Sequence, residues 1–399
     1  MRIVLFTHPA FLASQSMPRF AQMLRHAYTA RGHEVQVWSP PARVRRWVRG
    51  PLSKWAGYVD QYLLFPLWVR RQLARVPEDT LFVMTDQALG PWVPLLRGRP
   101  LVVHVHDLLA LRSALGEIPE NRTGLSGRVY QRYIRRGFQQ ARHFICISQR
   151  TREDLRRVGG VDPLSCEVVY NGLNQRFARI PAAQARVQLR GAGMPVAPGG
   201  LLLHVSGGQW YKNVAGVLRL YAHYARAQRH PLPLWLVGVP QTEAVQAVLR
   251  EVPTQGTVHF LYGIDHALLQ AAYSVSRAFL FPSLAEGFGW PIVEAQACGC
   301  PVFTTDDTPM NEIGGPHTFY LRRLRHGEDE QAWAAEGARL IEAVINETPA
   351  DAQARAQTCM AWARRFDADR AIGQYLQVYG QVLAGQQVSL NADMARTPA

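Results

Sequence analysis

The sequence predicts two successive open α/β domains, each built on a mainly parallel sheet with helices between its strands. Short apolar runs alternate with longer stretches of helical period, the mark of βαβ units. The alternation breaks near residues 182–200, where Pro195, Pro198, Gly199 and Gly200 indicate a linker, and then restarts. A chain of 399 residues is also too long for one ordinary core and suits two domains of similar size.

Taken in order, residues 3–6 read as the opening strand. Phe20, Leu24, Ala27 and Tyr28 form a helical stripe that ends at Gly32, and 34–38 is the next strand. Residues 81–84, 101–104 and 143–147 follow as short apolar strands, and 168–170 closes the first series before Asn171-Gly172. The second series is 201–205, 234–237, 259–261, 278–281 and 301–304. The expected division is 1–185 and 186–365. A helix at about 366–385, carrying Phe366, Tyr375, Leu376 and Tyr379, is expected to pack back onto the first domain, ahead of a frayed tail at 386–399. Open α/β sheets hold ligands outside the carboxyl ends of their strands, so a ligand is expected between the two domains.

Composition narrows the function classes. With 48% hydrophobic and 19% charged residues the chain is globular. Its five cysteines are scattered and odd in number, and Cys298-Gly-Cys300 is too tight for a C-x-x-C site, so all read as reduced, mostly buried thiols of a cytoplasmic protein. The apolar run at 3–6 is too short for a signal peptide, and no stretch reaches transmembrane length. The net charge of +14 is uneven: residues 1–180 hold 27 Lys/Arg against 12 Asp/Glu, and residues 181–399 hold 17 against 18. In region 43–71, Arg43, Arg45, Arg46, Arg49 and Lys54 interleave with Trp47, Val48 and Trp55. A run from Tyr62 to Trp68 then meets Arg70 and Arg71. This mixture suits an interfacial segment on an anionic membrane face; the plainer alternative is an Arg-rich solvated surface over a core helix. No recognisable motif points to nucleic acid as a partner.

The most telling stretch is Glu286-Gly-Phe-Gly-Trp-Pro-Ile-Val-Glu294. Its first carboxylate lies in a glycine loop after a strand, and its second lies in the first turns of a helix opening at Pro291, where the missing proline N–H costs nothing. Gly287 and Gly289 allow close backbone approach to a ligand, and a helix N-terminus favours anions. Carboxylates on both sides of an anion site suit a ligand with hydroxyls at its ends and phosphate in its middle, as in a nucleotide sugar.

With these motifs the chain resembles the retaining glycosyltransferases of family 4, which have the GT-B fold: two Rossmann-like domains with parallel sheets facing across an interdomain cleft. The resemblance covers roughly residues 1–385 and is strongest from 201 to 315. It rests on Gly207-Gly208 ahead of Lys212-Asn213, on Leu236-Val-Gly238, Phe260-Leu-Tyr-Gly263, the Glu286–Glu294 stretch, and Val103-His-Val-His106-Asp107 in the first half. It implies that Lys212 meets the donor diphosphate, with the backbone at Gly207 and Gly208 close by. It implies that Glu286 holds hydroxyls of the transferred sugar, that Phe288 and Gly289 donate backbone N–H groups to it, and that Glu294 holds the ribose. His106 would face the donor sugar from the first domain, although His104 lies on the same strand face and the role can slip between them. Asp107 would orient His106 or contact the acceptor. Two departures stand out: Tyr211 occupies the place where many relatives carry an arginine, and the first βα loop, 8–16, holds a proline and no glycine.

The resemblance further implies a metal-independent hexosyl transfer with retention, and no cofactor. The donor is a GDP- or UDP-linked sugar, with a lean to mannose, and the acceptor a glycan or polyprenyl-linked sugar in bacterial surface polysaccharide synthesis. No D-x-D metal motif stands at a strand end. The expected location is the inner face of the cytoplasmic membrane, reached through region 43–71. The competing readings are a sugar-nucleotide epimerase of the same fold and a degenerate sugar-nucleotide-binding scaffold.

Overall fold

The computed structural model describes residues 1–12, 16–173 and 175–385; the expected tail at 386–399 and part of the 8–16 loop lie outside them. By internal contacts the chain divides into two units. Unit one holds residues 1–118, 122–171 and the stretch from Ala368, and unit two holds 119–121 and 172–367. The division thus falls at Asn171–Gly172, ahead of 185/186.

Unit one is a six-stranded parallel sheet: β1 (Arg2–Phe6), β2 (Glu34–Trp38), β3 (Leu81–Met84), β4 (Leu101–Val105), β5 (His143–Cys146) and β6 (Ser165–Val168), in the order β2-β1-β3-β4-β5-β6. Strands β1, β3, β4 and β5 are buried on both faces, as continuous Val/Ile/Leu/Phe runs in a parallel sheet require. The strand expected at 168–170 lies earlier, with Ser165 opposite His143 and Val168 opposite Cys146. The apolar Val168–Val169 pair marks where the chain leaves the sheet, so the apolar signal comes at the end of the strand. The helices are α1 (Ser16–Ala30), α2 (Ser53–Val59), α3 (Phe65–Leu73), α4 (Leu109–Ala114), α5 (Leu125–Phe138) and α6 (Gln149–Arg157).

Between β2 and β3 the chain runs through short 3-10 turns into α2, a π-helical turn at Asp60–Leu64, and α3. Asp60, 1% exposed, accepts the backbone N–H groups of Arg43, Val44 and Arg45 at 3.1, 2.8 and 2.9 Å and so pins the basic loop to the helix. Helix α5 packs on the 3-10 stretch Gln87–Leu96 at closest range through Gly137 and Gly90, where a Cβ on either would strike the other segment's backbone.

Unit two contains α7 (Ala182–Gly191), then a second parallel sheet of β7 (Leu201–Val205), β8 (Leu234–Val237), β9 (Val258–Leu261), β10 (Ser276–Phe281), β11 (Val302–Thr305) and β12 (Phe319–Leu321), in the order β12-β11-β10-β7-β8-β9. Its helices are α8 (Val214–Ala227), α9 (Glu243–Leu249), α10 (His266–Val275), α11 (Trp290–Ala297), α12 (Met310–Gly314), α13 (Glu330–Ile345) and α14 (Pro349–Ala363). Helix α7 stands where a linker was expected. Residues 182–190 contain neither proline nor glycine, and Ala185 and Leu189, one turn apart, are fully buried; the Pro/Gly cluster follows the helix. Strand β12 was not foreseen, since three residues are too few to show a period.

The last helix, α15 (Ala368–Leu383), belongs to unit one. Tyr28 donates to the Tyr379 hydroxyl at 3.2 Å, and Tyr379 lies 2.6 Å from His104 Nε2. Tyr375 donates to Asn171 Oδ1 at 3.2 Å.

Candidate functional site

The glycines singled out in unit two all follow carboxyl ends of parallel strands: Gly207-Gly208 after β7, Gly238 after β8, Gly263 after β9, and Gly287 and Gly289 after β10. One edge of the sheet therefore carries them all. Gly208 has φ +76° and leaves no room for a Cβ against the Pro240 ring, so the first loop crosses the second at backbone distance.

Asn213 fixes this edge. It is the one non-glycine residue with positive φ (51°) among the described residues, a strained geometry that asparagine tolerates best. Its Oδ1 accepts from Gly216 N–H at 3.1 Å and caps α8. Its Nδ2 donates to the Pro282 carbonyl at 3.1 Å, and Leu284 N–H donates to the Tyr211 carbonyl at 2.7 Å. The loop after β7 is thereby tied to the loop after β10.

This tie brings Lys212 and Glu286 together, with Nζ 2.7 Å from Oε1 and side chains only 12% and 7% exposed. Lys212 Nζ also stands 4.6 Å from the centre of the Phe281 ring, which shields one side from water. An ammonium has three donors, so the bridge to Glu286 leaves two for other oxygens. Glu294 lies on α11. Burial pushes its carboxyl up to about 7, while the Tyr273 hydroxyl, donating to Oε2 at 3.1 Å, and the charge of Lys212 pull it back. Lys212 is thus the cation that both carboxylates feel. Tyr273 is a site residue that carried no signal in the sequence, because it sits mid-helix in α10 without a motif around it. His204, inside β7, is driven down to about 4 by burial and stays neutral. It donates from Nδ1 to the Leu280 carbonyl at 2.7 Å and meets Ser206 Oγ at 2.9 Å.

Helix α11 opens at Trp290, capped by Gly289 at φ +100°. The expected anion site here is weaker than four free N–H groups would make it. Pro291 has none, and Ile292 N–H is taken by the Gly289 carbonyl at 3.0 Å. Phe288 is buried, edge-on to Phe366 at 5.7 Å, and so fixes the loop from within.

At the carboxyl edge of unit one, His106 follows β4. Its backbone N–H donates to Gln87 Oε1 at 3.0 Å, and Nε2 donates to the Thr85 carbonyl at 2.9 Å. Burial holds its pKa below the ordinary histidine value against the pull of Asp86, so the ring is neutral, with the proton on Nε2. His104 is enclosed by Phe20, Tyr375 and Tyr379 and fully buried. It serves the docking of α15 and not the sheet edge. Asp107 turns Oδ1 onto Leu109 N–H at 3.0 Å, at the start of α4. Two further side chains, His8 after β1 and Asp86 after β3, join at this edge with 2.8 Å between Nε2 and Oδ2. Only their three-dimensional neighbourhood reveals them, since they stand far apart in sequence with no motif around either.

Residues 17–177 match the family model "Glycosyltransferase Family 4", and residues 198–354 match "Glycosyl transferases group 1". Together they span most of the chain. The protein belongs to glycosyltransferase family 4.

Among curated relatives, this family 4 chain is 30% identical over 118 residues to O-antigen chain mannosyltransferase B of Escherichia coli, a match covering 29% of the chain and 31% of that relative. It is 21% identical over 243 residues to O-antigen chain mannosyltransferase RfbU of Salmonella typhimurium, covering 60% of each. The matched stretches thus span less than two thirds of these relatives' lengths. Among solved structures, sucrose-phosphate synthase from Thermosynechococcus elongatus superposes with a TM-score of 0.73 at 19% identity, covering 97% of this chain and all of that one. Anabaena HepE in complex with UDP and glucose gives 0.68 at 19% identity, covering 96% and 100%. The two-sheet architecture is the GT-B fold.

Proposed function

We propose that this family 4 glycosyltransferase moves a hexose, with mannose the favoured sugar, from a GDP- or UDP-linked donor to a glycan or polyprenyl-linked acceptor in bacterial surface polysaccharide synthesis. Transfer proceeds with retention. The observation that carries the reading is the buried Lys212–Glu286 pair at 2.7 Å, with Glu294 on the next helix, at one glycine-lined sheet edge. Lys212 offers its two remaining donors to the diphosphate and stabilises the charge that grows as the nucleoside diphosphate leaves. Glu286 accepts from hydroxyls of the sugar, and Glu294 from the ribose. Phe288 and Gly289 give backbone N–H groups, and Gly207, Gly208, Gly238 and Gly263 keep side chains out of the way. His106, a neutral ring set by Thr85 and Gln87, lies on the acceptor-side unit with Asp107. In this reading protein cations and N–H groups do the charge work, and no metal ion or cofactor takes part. The names of the mannosyltransferase relatives and the UDP and glucose bound by HepE support the substrate class.

The same proposal places the enzyme against the inner face of the cytoplasmic membrane. Trp47, Leu52, Trp55 and Leu63 are 77%, 67%, 65% and 57% exposed in region 43–71. Leu125 and Val129 extend this face onto α5, which is joined to it by the Tyr62–Tyr130 hydroxyl contact of 2.6 Å. Exposed Arg46, Arg49, Lys54, Arg128 and Arg132 border it, the mixture that anionic lipid attracts. Among the described residues no helix is long and apolar enough to cross a membrane.

The test of transfer uses GDP-mannose and UDP-glucose with a polyprenyl-linked sugar, following product formation and the anomeric configuration by NMR. A product with the donor's configuration is expected. An inverted product, or free epimerised sugar nucleotide in its place, contradicts the reading.

A further inference from the structure

Two of the cysteines meet inside unit one. Cys146 closes β5, and Cys166 lies in β6, which is the end strand of the sheet and pairs with β5 alone. The register sets Phe144 opposite Cys166 and Cys146 opposite Val168. The two cysteines are therefore two places apart along neighbouring strands and point to the same face. Both side chains join one apolar cluster, and their sulfurs stand 3.6 Å apart. Cys146 is wholly enclosed, while Cys166 keeps 9% exposure.

We propose that Cys146 and Cys166 form a modification site at which a hydroperoxide oxidises the pair to a disulfide, with Cys166 attacking and Cys146 resolving. Nothing in this site depends on which sugar the enzyme transfers. In the first step the Cys166 thiolate sulfur bonds to the terminal peroxide oxygen as the O–O bond breaks. The electron pair of that bond leaves with the other oxygen, which takes up a proton, and Cys166 becomes a sulfenic acid. In the second step the Cys146 sulfur bonds to the Cys166 sulfur as the S–O bond breaks. The hydroxyl leaves with the Cys146 proton as water. The cysteine pair has then lost two electrons and two protons, and the peroxide, which gains them, ends as water and an alcohol, or as two waters from hydrogen peroxide.

The two thiols differ in the way such a reaction needs. The hydrogen bond from Cys146 holds the Cys166 thiol below the ordinary cysteine value against the effect of burial; the charges of Arg156 and Arg152 on α6 add to it, and Glu167 opposes them. Burial, with Cys166 beside it, keeps Cys146 well above that value, so Cys146 holds its proton and donates it to the Cys166 sulfur. The thiolate is the nucleophile. Cys166 is the thiol placed to supply it, with its resolving partner already in contact. The other three cysteines are poorer targets, each 1% exposed. Burial pushes Cys298 up to about 12 and Cys359 up to about 11, and it raises Cys300 well above the ordinary value. Strand β6 is four residues long with a sheet neighbour on one side only, so it can shift towards β5 as the bond forms.

The experiment exposes the full folded chain to hydrogen peroxide at neutral pH, then quenches, unfolds and counts thiols, with peptide mass mapping alongside. Wild type should lose two of its five thiols. The peptides bearing Cys146 and Cys166 should appear joined, about 2 Da lighter than their sum, and dithiothreitol should restore both thiols. With dimedone present, Cys146→Ser should stop at the sulfenic acid and carry the label on Cys166, whereas Cys166→Ser should leave Cys146 unlabelled. A folded wild type that forms no bridge, or one that joins other cysteines, overturns the proposal without recourse to any variant. Labelling of Cys146 in a folded Cys166→Ser chain overturns the assignment of Cys166 as the attacking thiol.

Discussion

Glu294 is a carboxyl group that the fold keeps from ionising at its ordinary pH. Its folded value of about 7 lies above that of an unfolded glutamate. Between about pH 4.5 and 7 the folded chain therefore binds the proton more tightly, and the stability contributed at this site falls as pH rises through that window. Glu294→Gln should remove the dependence. By urea denaturation at pH 8 it should be more stable than the parent by roughly 3 kcal/mol at most, at about 1.4 kcal/mol per pH unit, and the two chains should converge below about pH 4.5. Donor affinity should show the reverse trend: as pH drops below 7 the wild type loses an ionised acceptor for the ribose, and the variant stays flat. At this scale the sequence showed the partners but not their coupling. Lys212, Glu286 and Glu294 were legible because one short motif and one lysine carry them. Tyr273, His8 and Asp86 were not, because each gains meaning from a neighbour on another strand or helix. His104 and His106 could not be told apart until α15 was seen to enclose the first.

The elements depend on close backbone contacts that composition cannot show. Gly137 on α5 lies so near the Gly90 carbonyl that a Cβ there would overlap it, with the Pro91 nitrogen at 2.8 Å. Gly137→Ala should lower stability by on the order of 1–3 kcal/mol through overpacking. Gly373, in α15 with nothing within 4 Å of its would-be Cβ, serves as the control: Gly373→Ala should be neutral or stabilising by up to about 1 kcal/mol. Thermal denaturation of the two variants decides this, and equal melting shifts would contradict the packing described. The long apolar strands were readable for the same physical reason that makes them buried on both faces. The failures lie where the signal is short or mixed: β6 with its alternating polar residues, β12 with three residues, and α7, hidden beside a Pro/Gly cluster that belongs to the loop after it.

For the molecule as a whole, charge and apolar exposure coincide. The excess of Lys and Arg lies in residues 1–180, and so do Trp47, Leu52, Trp55, Leu63, Leu125 and Val129, all largely exposed. Cosedimentation with vesicles containing phosphatidylglycerol should be strong at low salt and fall as salt screens the arginines, each worth about 1 kcal/mol near the surface. Trp47→Ser with Trp55→Ser should weaken it in region 43–71, and Leu125→Ser with Val129→Ser should weaken it through α5. A chain that stays in the supernatant at low salt contradicts the membrane-facing role. The two-sheet plan was legible from the strand–helix alternation and its restart, whereas the α5 half of the exposed face was not, because Leu125 and Val129 lie in a helix whose period looks like an ordinary core stripe.

The central claim is that Lys212, bridged to Glu286, holds the donor by its phosphates. Titration calorimetry of GDP-mannose and UDP-glucose into wild type, Lys212→Ala and Glu286→Gln tests it most directly, with circular dichroism confirming that each variant is folded. The account predicts that wild type binds at least one of the two donors. Lys212→Ala should lose roughly 10-fold or more in affinity for that donor and for its free nucleoside diphosphate alike, as expected for a charged contact worth about 1.5–3 kcal/mol. Glu286→Gln should lose affinity for the sugar nucleotide while keeping that for the diphosphate. Unchanged binding of both ligands in a folded Lys212→Ala variant would contradict it.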